Sequence, residues 1–444
     1  MPAEDTLSIQ QAERVDHQLV RGIGVRALTA NIVNSTIGAG IFVVPAAVAK
    51  GLGAAAPLAF ICCAIAMVLF VTCFAIAGSR VSLTGGLYAY VEVAFGRYVG
   101  FLAGVLYGIT AISAVAGVGN VLVDSLGGLF PLLNNQVFRI GLMFVIYLLL
   151  VVVNVRGVRT GASAVTAVTT TKLLPILLFL GVGLFFINRA NLSWSTWPTS
   201  QELGNSVLLL LFAFVGIEVA LIPSGEVRSP ARTVPRAAYL ALIVTTTIYI
   251  LIQLVAQGTL GPDLANHEKT PLAEAAATFL GNTGRTILII GAAISAFGFV
   301  ASDILSSPRM LFAIGRDGVL PTWFARVHPR YRTPYIAIIS YAVVAFVLSV
   351  CSSFEQLAVL SNVAVLLMYL LCCAGVWPLL RRKTDSAERV LNFPGMQLVP
   401  ALAIAAILGL FWSTRPWDKF RNIGAILAAL SIIYFIRAKF GRKS

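Results

Sequence analysis

Charge is scarce in this 444-residue chain: Asp, Glu, Lys and Arg make up 11% of it, where a soluble globular chain carries roughly 25%. With 58% hydrophobic residues and a mean hydropathy of +0.90, a water-soluble fold is excluded. Acidic residues are the scarcer sign, 18 against 32 basic, for a net charge of +14. Such an excess would suit nucleic acid, but the basic residues stand in short loops between apolar runs, on alternate sides. That is the positive-inside pattern of a protein whose partner is a lipid bilayer, with no nucleic acid. There are three histidines, His17, His267 and His328, all in loops or the tail and far apart. A membrane enzyme would need a convergent catalytic set such as clustered His with carboxylates, so the chain reads as no enzyme. His267 and His328 read as ordinary solvated side chains. The six cysteines (Cys62, Cys63, Cys73, Cys351, Cys372 and Cys373) lie nearly all inside apolar runs, without disulfide or metal spacing. They read as small packing residues, and neither metal nor cofactor is expected. A signal peptide is also lacking, and the polar stretch 1–26 reads as a cytoplasmic tail.

What the chain has is long apolar runs. About twelve cross the bilayer, at 27–49, 56–79, 98–125, 138–154, 162–187, 206–225, 237–260, 286–313, 335–351, 356–380, 396–412 and 420–437. The expected fold is therefore an all-α polytopic membrane protein with both termini on one side. With the N-terminus inside, cytoplasmic segments carry roughly three times the Lys and Arg of the outside ones. Short loops and tails suit a bacterial inner membrane. The connection 261–285 reads as the longest outside loop, capping the outer mouth. A homo-oligomer is left open.

The first run contains a conflict. Asn31-Ile-Val-Asn-Ser-Thr-Ile-Gly-Ala-Gly-Ile-Phe-Val-Val-Pro45 places Ser35, Thr36, Gly38 and Gly40 in mid-span, and each interior glycine disfavours helix by about 1 kcal/mol. An unwound turn facing lipid would leave backbone groups unpaired, so a break survives only where it lines a cavity. A close helix-packing contact is the plainer account of the same residues. A second break weighs against it: span six carries Gly216, Glu218, Pro223 and Gly225. It starts on the opposite side from span one, as it would if spans one to five (27–187) and six to ten (206–380) were inverted repeats. Residues 396–437 would add two peripheral spans and 438–444 a cytoplasmic tail. Paired interruptions in corresponding positions point to a transporter's binding site.

Several motifs carry a resemblance over nearly the whole chain: Thr36-Ile-Gly-Ala-Gly-Ile-Phe42, Gly85-Gly-Leu-Tyr-Ala-Tyr90, Phe214-Val-Gly-Ile-Glu218 with Glu226, Pro230-Ala-Arg-Thr-Val-Pro-Arg236, Arg309-Met-Leu-Phe-Ala313 and Arg316-Asp-Gly-Val-Leu-Pro321. In this order the chain resembles the amino acid–polyamine–organocation permeases, departing at Thr84, where the family's loop motif usually opens with proline. The resemblance implies a five-plus-five inverted-repeat core with broken helices one and six, two peripheral helices, and alternating-access transport of amino acids or amines.

Three ionisable residues lie inside spans, where they are costly and are candidates for function. Lys172 is about ten residues into span five, too deep to snorkel easily, and could release and take up a proton. The resemblance implies instead, or as well, a lysine standing in place of sodium against the unwound part of span one. Glu218 follows the second break; the resemblance implies linkage to neighbouring spans and proton-linked gating, and a plug for unwound backbone is the plainer account. Asp303, inside span eight, could pair with a cationic group of the substrate, neutralise Lys172, carry a proton or bond a neighbouring helix. The expected pocket uses the amides of Thr36, Ile37, Gly38, Ala39 and Gly40 for a substrate carboxylate. The carbonyls of Phe212 to Gly216, Val215 among them, take the α-ammonium. Phe214, or Phe212, forms an aromatic lid, and Ile41 and Phe42 line the side-chain pocket. The expected function is amino acid transport by proton-coupled symport. An exchanger, or a carrier of amines or polyamines, is the alternative.

Overall fold

The computed structural model describes residues 24–81, 86–156, 172–194, 196–218, 227–316, 321–381 and 391–440. Most of the N-terminal tail, Thr84 and Gly85, the first part of span five, Pro223, Gly225 and Glu226, Asp317 to Leu320 and the last four residues lie outside them.

All regular elements among the described residues are helical. In chain order the helices are α1 (Val25–Thr36), α2 (Val44–Leu52), α3 (Ala56–Gly78), α4 (Leu87–Phe95), α5 (Arg97–Gly127), α6 (Gln136–Arg156), α7 (Leu173–Gly183) and α8 (Ser200–Phe214). They continue as α9 (Pro230–Leu260), α10 (Pro271–Ser306), α11 (Pro308–Arg316), α12 (Tyr335–Cys351), α13 (Phe354–Arg381), α14 (Val399–Thr414) and α15 (Trp417–Phe440). Seven helical stretches are long and apolar enough to cross a membrane, and four shorter apolar helices accompany them. The outward surface is apolar where a soluble protein would be polar: Phe185 is 87% exposed and Trp412 75%. Lipid is the solvent that accepts such side chains. This is an all-α polytopic membrane protein.

One expectation is met and one changes. Span one is two helices, α1 and α2, separated by an extended residue and a 3-10 turn over Ala39–Phe42. The long connection before span eight is folded rather than looped. It forms a 3-10 turn over Gly261–Asn266 and then begins α10 at Pro271, with a kink at Gly281 (φ 62°). Two proline-started turns after Gly261 and Thr270 explain this, because proline pre-sets φ for a first helical turn.

The helices pack so that the broken elements are central. α1 leans chiefly on α9 through Leu28, Ile32 and Thr36, while its Ala27, Ala30 and Asn31 are exposed. α2 is enclosed by α8, α3 and the Gly261–Asn266 turn, and Lys50 at its end pairs with Glu268 at 2.5 Å. Among the described residues, α1 thus has fewer buried positions than α2.

Candidate functional site

α1 ends where its backbone ladder runs out. Ile37 N–H still donates to Val33 O (2.9 Å), and the Thr36 hydroxyl donates back to Ile32 O (2.8 Å). Gly38 is then extended (φ −100°, ψ −164°), and the chain turns helical again at Ala39. The first N–H groups of a new helical turn have no partner within it, so Ala39 and Gly40 present open donors. Gly38 needs no special φ. A Cβ built there would meet nothing nearer than Thr36 O at 3.9 Å, so it borders open space. Gly40 differs: a Cβ would press the Phe212 ring at 2.9 Å.

The C-terminal carbonyls of α1 are met by two side chains. Lys172 Nζ donates to Asn34 O at 2.7 Å, and the Tyr249 hydroxyl lies 2.8 Å from Thr36 O. A cation at the carbonyl end of a helix is favoured by its dipole.

α8 starts with a capping box, in which Thr199 and Glu202 satisfy each other's backbone. Those donors hold the exposed Glu202 carboxyl below its ordinary pKa. α8 ends at Phe214, with Val215 N–H still bonded to Leu211 O at 3.0 Å. Gly216 follows at φ +117°, a region that side chains resist. Its N–H donates to Glu218 Oε2 (3.0 Å), which also accepts from the Tyr369 hydroxyl (2.9 Å). The two breaks touch: a Cβ on Gly216 would stand 2.9 Å from Ser35 O. Tyr249 spans them, its hydroxyl 2.8 Å from Ala213 O as well as from Thr36 O. It carries one proton, so it donates to one carbonyl at a time.

The expected residues divide into two faces. Ile37, Ile41 and Phe42 pack with Phe214 in the main core, and Phe214 is fully enclosed, edge-on to Tyr249 at 5.1 Å. Ala39 and Phe212 face the other way, toward Val115 and Val118 of α5 and Ala293 and Ala296 of α10. Phe212, edge-on to Phe354 at 5.3 Å, is therefore the ring beside the glycine segment. Thr36 is buried, whereas Ser35, Gly38, Val215 and Gly216 remain partly exposed. Of the carbonyls expected to take an ammonium, that of Ala213 is already engaged by Tyr249.

Asp303 does not pair with Lys172. It accepts from Ser307 Oγ at 2.7 Å and from the Tyr341 hydroxyl at 2.5 Å. No group of three or more His, Cys, Asp or Glu that could hold a metal occurs among the described residues.

The sequence reading missed four tyrosines: Tyr107, Tyr249, Tyr341 and Tyr369. A signal was present, since a tyrosine in an apolar span must find a partner for its hydroxyl. What it partners, broken-helix carbonyls or carboxylates, is set by packing between distant spans.

The sequence pattern of amino acid permeases matches residues 23–436. Three relatives from Bacillus subtilis (strain 168) match over most of their length. A serine/threonine exchanger is 28% identical over 441 residues, covering 96% of this chain and 98% of the relative. A branched-chain amino acid permease is 25% identical over 442 residues, covering 93% and 92%. A methylthioribose transporter is 28% identical over 454 residues, covering 98% and 96%. The family and these relatives are transporters, not enzymes.

Proposed function

The chain belongs to the amino acid permease family, and from that premise we propose that it is a secondary active transporter that moves α-amino acids by alternating access, in symport with protons. The observation that carries this reading is the contact between the interrupted span one and the end of α8 at Gly216, beside open space at Gly38. There the free donors of Ala39 and Gly40 suit a carboxylate at the start of a helix. The carbonyls released near Val215 and Gly216 suit the α-ammonium, and Phe212 is the ring available to cover them.

Lys172 is the coupling residue. Its ammonium already occupies the carbonyl end of α1 through Asn34 O, which is where a cation is favoured. Loss of its proton would free that end and let α1 move relative to span five. Glu218 couples the second break to α13 through Tyr369. The charge bias puts both termini in the cytoplasm of a bacterial inner membrane. Residues 27–187 and 206–380 form the two inverted repeats, and 396–437 the peripheral pair. In that orientation the exposed face of α1 and the enclosed α2 suit a state open to the cytoplasm.

An exchange mechanism is the second reading, favoured by the likeness to a serine/threonine exchanger. Uptake of labelled amino acids and diamines into proteoliposomes separates the two. Accumulation driven by an inward proton gradient supports symport. Uptake only into vesicles preloaded with unlabelled substrate means exchange, with Lys172 a fixed structural cation. Transport of diamines without α-amino acids would remove the carboxylate from the span-one amides.

A further inference from the structure

Asp303 lies in the half of α10 nearer α11, and its two oxygens accept from two neutral hydroxyls, Ser307 and Tyr341. Three tyrosines, Tyr107, Tyr147 and Tyr341, are within electrostatic reach of it. Among the described residues no Lys or Arg forms an ion pair with it. An anion withdrawn from water without a countercharge is costly, and a buried carboxylate is ordinarily paired.

The helix that carries Asp303 packs against the Ala39–Phe42 turn of the first break. Tyr107 is within electrostatic reach of both Asp303 and Glu218, and Glu218 itself holds the Gly216 N–H. Tyr107 and Asp303 are each partly exposed, as Gly38 and Gly216 are. Along α10, Ala296 packs in the same cluster as Ala39 and Phe212. Seven residues separate Ala296 from Asp303, about 10 Å of helix rise. An extended basic amino acid places its terminal cation on the order of 8 Å from its carboxylate carbon, and hydrogen bonds at the two ends make up the rest.

We propose that Asp303 is an acidic subsite for the positively charged end of the substrate's side chain, so that the substrates are basic α-amino acids of the lysine, ornithine and arginine type. This rests on the span-one amides holding the α-carboxylate. A neutral side chain would leave Asp303 unpaired, so the subsite also discriminates against neutral amino acids of the same length.

The test uses the full-length protein in proteoliposomes, with competition by lysine and arginine against their near-isosteres norleucine and citrulline. Wild type is expected to prefer the basic member of each pair by about tenfold or more, the scale of one charged hydrogen-bonded contact. Asp303→Asn should erase that preference, bringing competition by the basic member of each pair down to that of its neutral partner. Equal or better competition by norleucine in wild type overturns the subsite without any variant, so a variant that does not fold cannot rescue it. An unchanged lysine-to-norleucine ratio in a folded Asp303→Asn protein, or a change in its pH profile alone, also overturns it. Failure of every α-amino acid to compete sinks the amino acid reading itself, and the subsite with it. Uptake of neutral amino acids alone sinks only the subsite.

Discussion

Where α1 stops after Thr36 and where α8 stops after Phe214, the chain faces one problem and answers it in two ways. Both helices expose carbonyls in a low-dielectric interior, and both are followed by a glycine. At the second break the protein meets the Gly216 amide with its own carboxylate. The carboxylate of Glu218 turns back onto Gly216 N–H and is held by Tyr369. At the first break only the carbonyl side is closed, by Lys172 and Tyr249, and the amide side begins a new turn beside empty space. The glycines record the difference. Gly216 is required by its positive φ and by the Ser35 carbonyl against it, whereas Gly38 has an ordinary backbone and room for a side chain.

The comparison can be broken most severely at Gly216. Gly216→Val forces a side chain into both a disallowed φ and the Ser35 carbonyl, which should cost about 3 kcal/mol or more. Thermal unfolding in detergent should show a large fall, and a wild-type melting point would mean the break is not held as described. Glu218→Ala comes next. It leaves the Gly216 N–H and the Tyr369 hydroxyl without an acceptor, at about 1–3 kcal/mol each. Uptake should be lost and stability lowered, while Glu218→Gln, which keeps an acceptor, should recover stability. If the two variants melt alike, the carboxylate is not plugging the break.

Lys172→Ala tests the closed side of the first break. Uptake should vanish or lose its dependence on pH, and an unchanged pH profile removes Lys172 from coupling. Gly38→Val tests the open side: it should melt like wild type and bind substrate at least tenfold more weakly. Normal uptake by that variant would dismiss the amide site. Gly40→Leu is a poorer probe, because it collides with Phe212 and should lose stability together with binding. The mildest change is Tyr249→Phe, which removes one donor shared by two carbonyls. Its net worth is about 1 kcal/mol, so a several-fold drop in turnover is expected, without loss of folding. Wild-type kinetics would show that the two breaks are not coupled through this hydroxyl.

Much of this was legible in the residues. The Ser-Thr-Ile-Gly-Ala-Gly run foretold the first interruption, and Gly216 with Glu218 foretold the second. Glycine and short polar side chains lower helix stability wherever they fall. Lys172 stood out because a charge so far from water is rare. Which of the two rings stands beside the glycines was not legible. Phe214 and Phe212 are two residues apart and chemically alike, and only the helix rotation sends one ring into the core against Tyr249 and the other beside Gly40. The supposed loop at 261–285 was misjudged because its polar residues hid two proline-started helical turns.

Composition and periodicity by themselves determined that this chain lives in a bilayer and crosses it many times. Hydrocarbon admits only backbone that satisfies itself within each span, so the long apolar runs had to be helices, though glycines alone do not break them: α5 carries Gly117 and Gly119 without interruption. Only the tertiary structure decided which donors reach the broken ends. The hydroxyls of Tyr249, Tyr341 and Tyr369 meet partners 36 to 213 positions away in the chain. Contacts at that separation are fixed by how helices pack, and local sequence carries no record of them.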